Sequence, residues 1–199
     1  TLAKLLVGFY PPTDGKLTVD GYDINVVDKE YFRAQVGYVM QSNLLFSGTI
    51  AENIASGDTS PDRRRIEEVA KRADAHGFIS KLPLAYEQVV GERGMGLSGG
   101  QVQRLCIARA LYHDPRLLVF DEATSALDTQ SEGNIMANMN DILKGRTAVV
   151  IAHRLSTIMH ADKIVVMYEG KIVEQGRHDE LVERRGMYYE LVQKQLSAA

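Results

Sequence analysis

The chain has 199 residues, 45% hydrophobic and 25% charged, with a formal net charge of −3. That is the composition of a globular protein with room for one substantial domain and a subdomain, and the mild negative charge gives no general attraction to nucleic acid or anionic membrane. No run of about 18 apolar residues occurs, and the start does not read as a signal peptide, because a short apolar run carrying Lys4 leads straight to Pro11 and Pro12.

In chain order, residues 1–8 read as a short helix and Pro11 to Gly15 as a turn. Lys16 to Val19 and Tyr22 to Ile24 read as strands joined by a hairpin turn at Asp20-Gly21. Val36 to Met40 is a strand candidate that delivers Gln41 to its end. From about Ser42 to His113 the pattern is helical, with Pro61 fitting a helix start and Arg63 to Arg65 in its early turns, on a solvated face with Glu67 and Glu68. A helix is expected from Gly99 to about His113, then a buried strand from Leu117 to Phe120. A helix from about Ser131 to Leu143 and a strand from Thr147 to Ala152 follow. Lys163 to Met167 and Lys171 to Glu174 form a hairpin turning near Glu169-Gly170, and one terminal helix runs from about Arg177. Cys106, the only cysteine, excludes an internal disulfide and is expected to pack as a small apolar residue on a helix.

Two segments carry chemistry. In LSGGQ, Leu97 to Gln101, Ser98 with Gln101 three positions on is the S-x-x-Q form of a capping box, and Gly99 and Gly100 leave first-turn amides unshielded. Such amides and the helix dipole favour an anion, although a short S-G-G by itself is more often an ordinary capped helix. In LLVFDE, Asp121 and Glu122 end an apolar strand, where ligands of open α/β sheets sit. An ionised Asp is a hard oxygen ligand for Mg²⁺, and a second acid can orient or deprotonate water; standing alone, the pair would more simply open a loop or cap a helix. Gln41 and His153, each at a strand end, taken alone would more often be satisfied polar residues.

Together these segments resemble the nucleotide-binding domain of an ATP-binding cassette transporter along nearly the whole chain, 1–199. TLAKLLVG resembles the helix after a P-loop, with Thr1 just past the P-loop lysine and serine. Gln41 in GYVMQSNLLFSGTIAENI matches the Q-loop, Leu97 to Gln101 the signature, Leu118 to Glu122 the Walker B strand, and Ser125 to Asp128 the D-loop. His153 in VVIAHRLST matches the switch histidine, and Glu92 to Gly94 the loop that exporters place before the signature. The resemblance implies an α/β P-loop NTPase-like core, an inserted helical subdomain at about 42–113, and an antiparallel β portion near the N-terminus. No G-x-x-x-x-G-K occurs in the chain, and the aromatic that usually stacks on adenine has no counterpart, so these residues alone are expected to bind ATP weakly and hydrolyse none.

The same resemblance implies ATP and Mg²⁺ as ligands. Glu122 is then the base for water, His153 contacts the γ-phosphate, and Gln41 and Asp121 assist the metal. Thr1 lies on the nucleotide of its own site. Leu97, Ser98, Gly99, Gly100 and Gln101 complete the site of a second nucleotide-binding domain in a head-to-tail dimer, with Asp128 at the interface. Residues Leu44 to Ile50 face membrane domains in the same parent polypeptide, on the cytoplasmic side of the inner membrane, and no nucleic acid partner is expected. LLFSGTIAENI and DAHGFISKLPLAYEQVVGERG are similar to bacterial peptide or protein exporters of the type I secretion and peptidase-containing groups. Lipid and multidrug exporters are close alternatives. Soluble cassette ATPases acting on ribosomes or DNA are a separate class, and the stretch before Leu97 has no room for the long coiled coil of DNA-organising members.

Overall fold

The computed structural model describes residues 2–91, 94–121, 141–152 and 155–197, apart from the side chains of residues 156 and 157. Thr1, Glu92, Glu122, Asp128 and His153 lie outside the described residues, as does most of the expected helix from Ser131. The chain divides into two compact units, Thr1–Ile151 and Ala152–Ala199.

The first unit opens with α1 (Leu2–Leu6), followed by β1 (Thr18–Val19) and β2 (Tyr22–Asp23) as an antiparallel hairpin. Asp20 and Gly21 have φ of 51° and 85°, both positive as a two-residue turn matched to the strand twist requires. Next come α2 (Lys29–Ala34), capped by the Asp28 carboxylate at 2.7 Å from the Tyr31 amide, and β3 (Val36–Val39). The sequence reading gave no helix at Lys29–Ala34. It buries only Phe32, too little for a periodic signal.

Between β3 and the signature lie β4 (Gly48–Thr49), α3 (Ile50–Ile54), α4 (Arg63–Arg72), α5 (His76–Ile79) and β5 (Val89–Val90). The stretch is mostly helical as expected, but β4 and β5 form an antiparallel pair across it. Asp62, one residue after Pro61, caps α4. Arg63 pairs with Glu67 at 3.1 Å and Glu87 at 2.7 Å, and Arg65 pairs with Glu68 at 3.1 Å. Arg65 is more than a solvated charge. Its guanidinium donates to the carbonyls of Leu111 and Tyr112 at 3.2 and 3.1 Å, satisfying two orphan acceptors at the end of the helix that the signature opens.

That helix is α6 (Gly99–Tyr112), followed by β6 (Leu117–Asp121) and β7 (Thr147–Ile151). The strands make a parallel sheet in the order β3-β6-β7, with Tyr38 opposite Val119 and Val39 opposite Phe120. Strand alternation divides its faces. Val36, Tyr38, Leu117, Val119, Val149 and Ile151 pack with Ala3 and Val7, at and just beyond α1. Val39, Leu118, Phe120 and Val150 join the larger core built on α3, α4 and α6. Gly37 marks the close approach of α6 to β3: a Cβ there would stand 2.4 Å from the Ala110 carbonyl and 2.7 Å from Leu118. Replacing Gly37 by Ala should therefore cost about 1–3 kcal/mol, lowering the unfolding midpoint of this unit in a thermal melt.

The second unit contains α7 (Leu155–Ile158), β8 (Ile164–Tyr168), β9 (Lys171–Gly176), α8 (His178–Arg184) and α9 (Met187–Ser197). Glu169 and Gly170 turn the β8–β9 hairpin with φ of 48° and 77°, where the sequence places it. Ile164, Val166, Leu181, Tyr188 and Val192 form its core. The single terminal helix expected from Arg177 is two helices, because Arg185 takes a left-handed conformation at φ 51° and closes the first. Among the described residues, no helix is long and apolar enough to cross a membrane.

Candidate functional site at the carboxyl ends of the parallel strands

The first unit aims two of the expected residues alike. Gln41 follows β3 by two residues and is exposed, and Asp121 is the last residue of the neighbouring parallel strand β6, half-buried. Both therefore stand at the carboxyl edge of the sheet, where open α/β folds bind ligands. Asp121 sits two residues beyond Val119, so it shares the α1 face of the sheet with Tyr38. Its Oδ2 accepts a hydrogen bond from the Tyr38 hydroxyl at 3.0 Å. Burial first, then the hydrogen bond and the charge of Asp121, push the Tyr38 pKa up to about 12, so at neutral pH this hydroxyl keeps its proton and donates it.

The donor set fits a magnesium ion. A carboxylate and an amide oxygen on adjacent strand ends are hard ligands, and Mg²⁺ is commonly held by one or two carboxylates while waters and phosphate oxygens complete its octahedron. Asp121 and Gln41 are the described residues that would hold it. The carboxylate and imidazole expected beside them, Glu122 and His153, follow β6 and β7 in the sequence and lie outside the described residues, as do Thr1 and Asp128.

The signature forms the cap its sequence predicts. Ser98 Oγ accepts from the Gln101 amide at 3.3 Å, and Gln101 Oε1 accepts from the Ser98 amide at 2.9 Å. The Gln101 side-chain oxygen is thereby engaged by the Ser98 amide. Ser98 and Gly99 are exposed, Gly100 is half-buried, and Leu97 packs against the main core. Just upstream, Gly94 has φ of 76° and lies so near Val102 that a Cβ would stand 2.5 Å from it. At 1.5 Å per residue, Ser98 opens α6 about 18 Å before the helix reaches the sheet at Ala110.

Two features escaped the sequence reading. One is Tyr38, whose role depends on the β3–β6 register. The other is Arg109 on α6, which donates from Nε to the Asn53 carbonyl at 2.7 Å, from Nη1 to the Leu44 carbonyl at 2.9 Å and from Nη2 to Asn53 Oδ1 at 2.7 Å. Its guanidinium also lies 4.8 Å above the Phe46 ring. Asn53 in turn holds the Phe46 amide and carbonyl, both at 2.9 Å, so the segment after Gln41 is tied to the signature helix. A cation one turn after Leu105, on a largely apolar helix, was the available signal. Cys106 is buried, and burial pushes its thiol pKa up, as suits a packing role.

A parallel sheet between helices, with a strand-end aspartate and a glycine-opened, capped helix, defines an α/β core of the P-loop NTPase kind. Residues 1–125 match the family described as ABC transporter, and the chain belongs to that family. It is 53% identical over 196 residues to the toxin RTX-III translocation ATP-binding protein of Actinobacillus pleuropneumoniae, covering 98% of this chain and 28% of that protein. It is 52% identical over 198 residues to the leukotoxin translocation ATP-binding protein of Mannheimia haemolytica, covering 99% of this chain and again 28% of the relative. The chain thus spans a little over a quarter of the length of the curated relatives it matches. Its structure is similar to that of a bacterial Atm1-family ABC exporter with ATP bound, at a TM-score of 0.94 and 45% identity over 98% of this chain and 34% of that one.

Proposed function

We propose that the chain is the nucleotide-binding and ATP-hydrolysing domain of an ABC exporter, and that its parent protein moves a polypeptide across a membrane. The observation that carries most weight is the identity of 53% over nearly the whole chain to a toxin translocation ATP-binding protein. The strand-end placement of Gln41 and Asp121 supports the chemistry, because phosphoryl transfer depends on positioning and charge neutralisation more than on covalent help.

In this reading, Asp121 and Gln41 hold Mg²⁺, which when bound neutralises charge on the β- and γ-phosphates of ATP. Glu122 accepts a proton from the attacking water, and His153 donates to the γ-phosphate while orienting that water. Thr1 contacts the nucleotide of its own site. The signature, Leu97 to Gln101, completes the nucleotide site of a second domain in a head-to-tail dimer, with Asp128 at the junction. Residues 42–113 act as the helical subdomain, within a nucleotide-binding domain spanning 1–199, and pass the movement of dimer closure to membrane-spanning domains from the cytoplasmic side.

Reconstitution of the full-length protein into lipid vesicles tests this. Mg²⁺-dependent ATP hydrolysis together with ATP-driven movement of a polypeptide across the vesicle membrane is the expected result. Hydrolysis coupled only to movement of a lipid or small apolar compound would overturn the cargo class, and absence of hydrolysis would overturn the whole reading.

A further inference from the structure

Among the described residues, Tyr38 is the one hydrogen-bond donor to the Asp121 carboxylate, and the fold brings it there with little freedom. The β3–β6 register sets Tyr38 beside Val119, and strand alternation places Asp121 on the same face, one pleat further on. The phenol ring is held edge-on by Phe9 at 5.7 Å and an interplanar angle of 85°, and it belongs to the apolar cluster beneath α1. An Asp carboxylate turns broadly about its last torsion unless something holds it. A hydroxyl fixed by ring packing supplies that hold at one oxygen, Oδ2.

We propose that Tyr38 is the positioning residue for Asp121: its hydroxyl occupies Oδ2 and orients the carboxylate so that Oδ1 meets the metal ion accompanying the nucleotide. This deepens the preceding reading and rests on Asp121 being a metal contact. Partners that orient a ligating group commonly change metal affinity by about 10–100-fold when removed. Tyr38 touches neither nucleotide nor metal and acts through the aspartate alone.

The test uses full-length protein loaded with a non-hydrolysable ATP analogue and titrated with Mn²⁺, read by electron paramagnetic resonance. Tyr38→Phe removes one oxygen and keeps the ring on Phe9. Mn²⁺ affinity should fall about 10-fold. Analogue affinity in the presence of a chelator should be unchanged, which reports an intact fold. A Tyr38→Phe titration that superimposes on the unaltered protein overturns the proposal. Asp121→Asn is measured in parallel. If it weakens Mn²⁺ binding while Tyr38→Phe does not, only the positioning role of Tyr38 fails. If Asp121→Asn leaves Mn²⁺ binding intact, the metal role of Asp121 fails and takes this inference with it.

Discussion

Replacing Glu122 by Gln in the full-length protein should slow ATP turnover by about 10²–10⁴, while Mg²⁺-ATP binding stays close to that of the unaltered protein. Glutamine keeps the size and polarity of the side chain but cannot take a proton from water. Removing a group that acts only in the transition state lowers turnover without touching ground-state affinity. The prediction depends on β6, which ends at Asp121 on the carboxyl edge of the sheet, where ligands of open α/β folds sit, and on Glu122 being the next residue in the sequence. Single-turnover hydrolysis and equilibrium nucleotide binding, measured on the same preparation, separate the two effects. A variant with normal turnover rules Glu122 out as the base.

The second large effect is expected at Arg109. Its guanidinium donates to the Leu44 and Asn53 carbonyls and to the Asn53 side chain, and burial lowers its pKa from the ordinary value. Arg109→Met keeps the stem and removes every donor. The acceptors it leaves are partly sequestered, and each unsatisfied group costs about 1–3 kcal/mol, so the segment 44–54 should lose about 3 kcal/mol of local stability. Hydrogen exchange reads this directly. Amides of α3 and of the preceding loop should exchange about 100-fold faster, with α9 in the second unit unchanged. Unchanged protection at Phe46 and Ile54 would show that packing of Ile50 and Ile54 alone holds the segment.

The sequence made most of the first unit legible, for identifiable reasons. Gly99–Tyr112 carries both a cap and sustained helical spacing, and its observed bounds differ from the expected ones by a single residue. Asp20-Gly21 and Glu169-Gly170 announce their turns because positive φ at successive positions demands such residues. By contrast, α2 offers six residues around one buried Phe32, and the β4–β5 pair joins Gly48 to Val90 with two residues a side. Neither is long enough to show a period. The break at Arg185 carries no glycine at the left-handed position itself; Gly186 follows it, and the reading ran through.

At the site, Gln41, Asp121 and the signature could be named from local order. Tyr38 and Arg109 could not, because one acts across a strand register and the other across a helix–loop contact that no local pattern encodes. Within the signature, Gln101 Oε1 and Ser98 Oγ both serve the capping box.

The central claim is that the signature and the strand-end acids of one chain serve different nucleotides. Two mixed dimers of the full-length protein test it most directly. One carries Ser98→Arg in one copy and Glu122→Gln in the other; the second carries both substitutions in one copy and none in the other. If sites form head to tail, the first dimer has both defects in one site and keeps the other intact, whereas the second has a defect in each. Single-turnover hydrolysis should then be clearly higher in the first. The reverse order, with the doubly substituted dimer the more active, would mean that each chain closes its own site and would contradict the account.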